Sequence, residues 1–271
     1  MLEGIVLGAI QGVTEWLPMS SEGVIILVKT YFFGGNEGLL ELIGFALFLH
    51  LGTFLAAAWY LRDDVFALVK TALRPHRILQ EGEIERMFRF LAIATLMSLL
   101  IGYPLLTWAL PFAEQSIVVG TKVITAFVGV LLLGTAFAQW QAKRKKESGR
   151  KQVGDLEHKD GVLLGVIQGF TVLPGFSRSG LTISALLLRG YSDSTALRTS
   201  FLMSLPAVLG GNVFFSLREG VSLSAPMVFG LFSSFLFGIF TMHILFRISH
   251  KVNFAYFVFF FGILTLASVF L

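Results

Sequence analysis

Apolar residues dominate six long stretches of the chain, roughly 37–62, 88–106, 116–141, 193–217, 224–247 and 254–271. A helix of ~20 such residues crosses a bilayer. Two further apolar stretches, 2–33 and 161–190, are interrupted near their middles by Pro, Gly and Ser. Each half is too short to cross alone, so each stretch reads as a re-entrant helix pair. Non-helical backbone at membrane depth is tolerated only where protein or a wet cavity covers it, which turns both breaks inward. The predicted fold is therefore all-α and integral to a membrane, with six transmembrane helices plus two re-entrant helix pairs.

Charge orients this arrangement. Arg62, Lys70, Arg74, Arg77, Arg86 and Arg89 fall in one connection, and Lys143, Arg144, Lys145, Lys146, Arg150, Lys151 and Lys159 in another. Such clusters favour the cytoplasmic side. Residues 107–115 hold no Lys or Arg, and 218–223 only Arg218, so both are expected outside. Asp63, Asp64, Glu81, Glu83 and Glu85 mix with the cations of 62–89, which reads as an exposed amphipathic linker without chemistry. The first broken pair then enters from outside and the second from the cytoplasm. The chain is predicted to be one membrane domain, its halves (approximately 1–141 and 160–271) inverted copies joined by the basic cytoplasmic loop 142–159.

An internal repeat supports the inversion. Sliding the sequence on itself by 157 positions lays Gln11, Gly12, Thr14, Ser20 and Gly23 on Gln168, Gly169, Thr171, Ser177 and Gly180, with nine of the twenty-one positions from 3 to 23 identical. Apolar bias explains matching Leu and Ile, but not Gln, Thr and Ser in register. In folds built this way the two breaks meet near the midplane, and half-helix N-termini aim unpaired N–H groups into the shared cavity. Such a cavity suits an anion.

Composition narrows the class. Of 271 residues 55% are hydrophobic and 14% charged, with a mean hydropathy of +0.78, which excludes an ordinary soluble domain. The net charge of +4 resides in connections between apolar runs and gives no nucleic-acid signature. The absence of cysteine removes disulfides, thiolate nucleophiles and Cys-ligated zinc. The first apolar run soon meets Gln11, Glu15 and Pro18 and has no basic leader, so it does not read as a cleaved signal peptide.

The candidate chemistry sits in the two breaks. In Pro174-Gly175-Phe176-Ser177-Arg178-Ser179-Gly180, Ser177 or Ser179 can cap the helix that follows, while the glycines let backbone N–H groups approach a phosphate. Arg178 offers a bidentate fork to phosphate oxygens and is costly in a membrane without an anionic partner. A salt bridge to Glu15 or Glu22 is the structural alternative. In the first break, Gln11 and Glu15 share one helix face just before Pro18-Met19-Ser20-Ser21-Glu22-Gly23 turns the chain. Glu15 could act as a general base or hold a divalent cation, and a nearby Ser could be the nucleophile it activates. Ser20 and Ser21 could equally be helix caps. His76, His158 and His250 read as solvated; His50 and His243 fall within spans, and His50 is the better candidate because its span follows the first break.

Gln11-Gly12-Val13-Thr14-Glu15-Trp16-Leu17-Pro18-Met19-Ser20-Ser21, taken with Pro174 to Gly180, resembles the undecaprenyl-diphosphate phosphatases, the bacitracin-resistance family of membrane enzymes. Leu51-Gly52-Thr53 and Phe201-Leu202-Met203-Ser204-Leu205-Pro206 resemble that family too. The resemblance implies a multi-pass cell-membrane enzyme that hydrolyses a polyprenyl diphosphate to the monophosphate carrier and inorganic phosphate, recycling lipid for cell-envelope glycans. It implies Glu15, Ser21, Glu22 and Arg178 as catalytic, and Gln11, Ser20, Gln168, Ser177, Arg178, Ser179 and Thr182 as substrate-binding. A divalent cation, magnesium or calcium, would be held at Glu15. The partners implied are the lipid substrate and membrane lipids, with no nucleic acid, and nothing in the pattern opposes a homodimer. Where the family usually has a small polar residue, Gly and His after Ser-Ser, this chain has Glu22, Gly23 and Val24, so Glu22 is the expected substitute for the histidine. A flippase for polyprenyl phosphates, without hydrolysis, is the alternative from another class.

Overall fold

A computed structural model of the chain describes residues 1–34, 39–109, 151–172, 176–220, 223–249 and 254–270, with short pieces between 126 and 140. Its named helices are α1 (Leu2–Thr14), α2 (Ser21–Phe33), α3 (Leu39–Tyr60), α4 (Arg62–Ala72), α5 (Glu83–Pro104), α6 (His158–Phe170), α7 (Arg178–Leu188), α8 (Asp193–Glu219), α9 (Ala225–Ser249) and α10 (Phe254–Ala267). Among the described residues the one non-helical pairing is an isolated bridge between Lys151 and Tyr191.

Among the described residues four helices are long and apolar enough to cross a membrane: Leu42–Tyr60, Glu83–Thr107, Asp193–Arg218 and Ala225–Ile248. Over the stretch expected to span at 254–271, the described residues form an apolar helix, α10, followed by a 3₁₀ turn, Ser268–Phe270. The span expected over 116–141 and the loop residues 142–150 lie largely outside the described residues. Both interrupted stretches are helix, break, helix, as their Pro, Gly and Ser content requires.

The connection 62–89 is corrected by the structure, being largely helical where a linker was expected. α4 carries Asp63 and Asp64 in its first turn and Lys70 in its last, charges that complement the helix dipole. α5 begins at Glu83, with Glu83 and Glu85 in its own first turn. Asp64 Oδ2 accepts from Arg198 Nε at 2.8 Å, and a second bond from Arg198 Nη2 makes the pair a fork.

Two glycine stripes set the packing. Gly4, Gly8 and Gly12 lie on one face of α1, against α9: a Cβ at Gly4 would stand 2.0 Å from the Pro226 carbonyl oxygen, and one at Gly8 2.1 Å from that of Gly230. Gly161, Gly165 and Gly169 do the same for α6 against α5, where a Cβ at Gly165 would stand 2.5 Å from the Ala94 carbonyl oxygen. The contacts climb in register, so α1 runs alongside α9 in the same direction and α6 alongside α5. Small residues let backbones approach where lipid provides no hydrophobic drive between helices. Hydroxyls then cross the gap: Ser233 Oγ donates to the Ile5 carbonyl at 2.7 Å, and Ser98 Oγ donates towards the Gly165 carbonyl at 3.1 Å.

Each broken pair is also clasped at its open end. Glu3 Oε1 meets Lys29 Nζ at 2.5 Å, joining α1 to α2, with the Lys29 ammonium 4.6 Å from the Phe45 ring centroid. Asp160 Oδ1 accepts from Arg189 Nε at 2.7 Å, joining α6 to the end of α7, and Asp160 Oδ2 accepts from the Tyr191 hydroxyl at 2.6 Å. Burial would raise the Asp160 pKa, but the bonds from Tyr191 and Arg189 outweigh it and hold the carboxyl below its usual range. Burial pushes the Tyr191 hydroxyl up, and the bond to Asp160 adds to the rise.

Candidate functional site

The two breaks meet. After α1 ends, Glu15 is carried inward, while Ser20 caps α2 by accepting from the Gly23 backbone N–H at 3.3 Å. Ser177 caps α7 in the same manner, accepting from the Gly180 backbone N–H at 3.0 Å. The caps make Ser21 and Arg178 the first residues of their helices, and both side chains turn to Glu15. Ser179 Oγ donates to the Leu17 carbonyl at 2.7 Å, stitching one break to the other.

Glu15 is the centre of the assembly and is buried. Its Oε1 accepts from Arg178 Nη2 at 2.5 Å. Its Oε2 meets three groups: Ser21 Oγ at 2.9 Å, Gln11 Nε2 at 3.1 Å and His50 Nε2 at 3.1 Å. A carboxylate satisfied at both oxygens, one of them by a guanidinium, is stable in so dry a place. His50 Nδ1 lies 2.7 Å from the Ala46 carbonyl, so each ring nitrogen faces an oxygen. The imidazole is thereby fixed between the carboxylate and the helix backbone.

Arg178 is held from behind. Its Nη1 donates to the Ser200 carbonyl on α8 at 3.1 Å, and its guanidinium carbon lies 5.9 Å from the Trp16 ring centroid. Thr182 Oγ1 bonds the Arg178 carbonyl at 2.8 Å and faces Ser200 Oγ at 2.7 Å, while Ser177 and Ser179 hydroxyls stand 3.4 Å apart. Trp16 is fully buried, with its ring 4.7 Å from Phe201.

Most residues singled out in the sequence converge here: Gln11, Glu15 and Ser21 touch directly, Arg178 joins them, and Ser20, Ser177, Ser179 and Thr182 shape the two helix starts. Of the two ion pairs weighed for Arg178, the one with Glu15 forms. Glu22 makes no hydrogen bond among the described residues but lies within electrostatic range of Glu15 and His50. Gln168 is bonded to α5, its Nε2 donating to Ser98 Oγ at 3.1 Å. Pro174 and Gly175 lie outside the described residues. His243 is elsewhere, 3.5 Å from the Tyr60 hydroxyl.

Sequence reasoning undervalued His50 and overlooked Ser200 and Trp16. An imidazole inside an apolar span was the available signal for the first. A backbone carbonyl and a buried indole leave none.

These features define a class: a multi-pass helical membrane protein in which a buried carboxylate and a guanidinium, brought from two helix breaks, form an ion pair. Residues 4–267 match the model of the family described as bacitracin resistance protein BacA, and the chain belongs to that family. It is 37% identical to an undecaprenyl-diphosphatase of Methanococcoides burtonii, covering 99% of this chain and 98% of that one. An undecaprenyl-diphosphatase of Methanothrix thermoacetophila is 36% identical over 98% and 96% of the two chains. One of Syntrophotalea carbinolica is 36% identical over 90% and 88%.

Proposed function

We propose that this protein hydrolyses undecaprenyl diphosphate to the monophosphate and orthophosphate in the cell membrane, returning the lipid carrier to envelope glycan synthesis. The observation that carries the reading is the bond between Arg178 and Glu15, which joins the two breaks through one buried ion pair. Family membership and relatives that bear this activity in their names support it. No observation favours the flippase alternative.

The arriving phosphates draw Arg178 off Glu15 and onto their own oxygens, since a diphosphate presents more charge than one carboxylate. Glu15 then loses its only guanidinium and becomes a better base. Ser21, already donating to Glu15, attacks the terminal phosphorus as its proton passes to the carboxylate. The bond from that phosphorus to the bridging oxygen breaks, and the prenyl monophosphate leaves. Water then cleaves the phosphoserine, restoring Ser21 and releasing orthophosphate. His50 keeps Glu15 aimed throughout, and Arg178 stabilises the charge on the transferring group.

A divalent cation, magnesium or calcium, fits the oxygen donors present: Glu15, Glu22 and Gln11 Oε1, which is buried without a partner. Among the described residues no three His, Asp or Glu side chains form a metal cage, so phosphate oxygens would complete the coordination. Such an ion would supply charge neutralisation on the phosphates when bound.

The arrangement we infer is inverted: α1 and α6 enter from opposite faces as re-entrant arms, with the connection 62–82 on the cytoplasmic side. Their packing along α9 and α5 supports this. Purified protein given undecaprenyl diphosphate in detergent is expected to release orthophosphate, and Glu15→Gln to abolish release while retaining a folded protein. Binding of the lipid by the parental protein with no orthophosphate released would remove the proposal.

A further inference from the structure

We propose that α4 is an interfacial helix whose outer face rests in the bilayer surface and gathers anionic phospholipid headgroups. Its inner face is committed: Val65 and Leu68 pack on the main core, Thr71 is buried and Asp64 holds Arg198. Its outer face is apolar where a water-facing helix would be polar. Phe66, Val69 and Leu73, spaced three and four apart, share one stripe, with Phe66 71% and Leu73 77% exposed.

Lys70 and Arg74 are exposed beside that stripe. Among the described residues neither has a carboxylate within ion-pair distance. Of the acidic groups nearby, Glu81 is engaged by Arg86 and Arg89 and Asp64 by Arg198, while Asp63 and Glu83 are exposed. An apolar stripe with cations at its flank is the pattern that binds anionic membrane surfaces, the stems lying along the apolar face and the charges reaching the headgroups.

The level of α4 fits that partner. It follows at once on the spanning segment Leu42–Tyr60, packs beside the start of α5 and is bonded to Arg198 in the first turns of α8, so it lies at the common end of three spanning helices. Trp59 is exposed at the end of α3, and the Arg62 guanidinium lies 5.8 Å from its ring centroid. Exposed Trp beside Arg marks headgroup depth. Two residues beyond Arg198 is Ser200, whose carbonyl holds Arg178, so the helix that α4 grips is the one that supports the anion site.

The test uses the full chain, which has no cysteine, so Phe66→Cys can carry a single environment-sensitive dye. In nanodiscs of phosphatidylcholine with roughly one third phosphatidylglycerol, its emission is expected to be blue-shifted and quenched by lipids brominated near the headgroup. Val69→Cys serves as a second labelling position should Phe66→Cys fold poorly. Native mass spectrometry of the unlabelled protein is expected to show phosphatidylglycerol retained over phosphatidylcholine, with a loss of about fivefold for each charge removed in K70Q and R74Q. A dye that reports bulk water at both positions, or phosphatidylglycerol retention unchanged in the doubly neutralised protein, would overturn the proposal.

Discussion

The two broken helix pairs share a frame and differ at their tips. In both, a glycine stripe lets the first helix lie against a long helix: Gly4, Gly8 and Gly12 in one, Gly161, Gly165 and Gly169 in the other. In both, a Ser at the same place, Ser20 or Ser177, caps the second helix, and an acid at the same place, Glu3 or Asp160, clasps the open end. At the tips the pairs part company: Glu15 answers to Val172, Ser21 to Arg178 and Glu22 to Ser179. Positions that bear on packing are held alike because both arms solve one steric problem. Positions that face the pocket are divided, carboxylate and hydroxyl on one arm and guanidinium on the other, so neither arm has a site without its partner.

The largest expected effect comes from removing that division. Arg178→Ala, Glu15→Gln and Ser21→Ala should each lower orthophosphate release from undecaprenyl diphosphate by ~10²–10⁴-fold, measured on purified protein. His50→Ala should fall at the low end of that range, since Gln11 and Ser21 still hold Oε2. Equal activity in the parental and Arg178→Ala proteins would mean that the tips are not complementary at all.

The clasps sharpen the comparison because their burial is unequal in opposite senses. The Lys29 side chain is 6% exposed and that of Arg189 34%, whereas Asp160 is fully buried and Glu3 is not. Arg189→Met should therefore destabilise more than Lys29→Met, because the carboxylate it leaves behind is the fully buried one. Leaving a buried carboxylate without its cation costs about 3–5 kcal/mol, against about 1 kcal/mol where the surviving carboxylate can reach water. Thermal unfolding in one detergent would reveal the order, and the reverse order would break the argument.

Glycine substitutions come next. Gly8→Ala should destabilise by about 1–3 kcal/mol and Gly161→Ala by less, because the added methyl meets a backbone oxygen at 2.1 Å in the first and 3.1 Å in the second. Comparable melting temperatures for the two variants would show that the helices slide apart freely.

The smallest effect is one of pH. Asp160 has its carboxyl pKa held down in the folded protein, so its contribution is complete above the ordinary Asp value of about 4. That contribution is lost only as pH falls through the lowered value. Melting temperature should not vary with pH on account of this clasp between pH 5 and 8 and should decline below about pH 4, a component that Asp160→Asn removes.

Much of the site was legible in the residues because its parts are local. Ser20 with Gly23 and Ser177 with Gly180 are caps three residues apart, and Gln11 with Glu15 is a one-turn pair, all visible in a linear reading. Glu15 and Arg178 could be paired across 163 positions because two charges in apolar surroundings need each other. His50 could be ranked but not placed, and the carbonyl of Ser200 carries no side-chain signature. The connection 62–89 was misread because its charges look solvated in sequence, while the inward face of α4 forms only once Arg198 of a distant helix takes Asp64.

From its residues alone the chain settled that it is helical, that two of its apolar stretches must break, that the breaks repeat each other and that they hold the polar chemistry. Hydropathy, helix caps and glycine spacing act within a few turns of backbone, so a linear reading captures them. Which long helix each arm lies against, which imidazole reaches Glu15 and what braces Arg178 were decided only by the folded packing. Those contacts join residues dozens to hundreds of positions apart, and the steric fit that selects among them exists only when all the helices are in place.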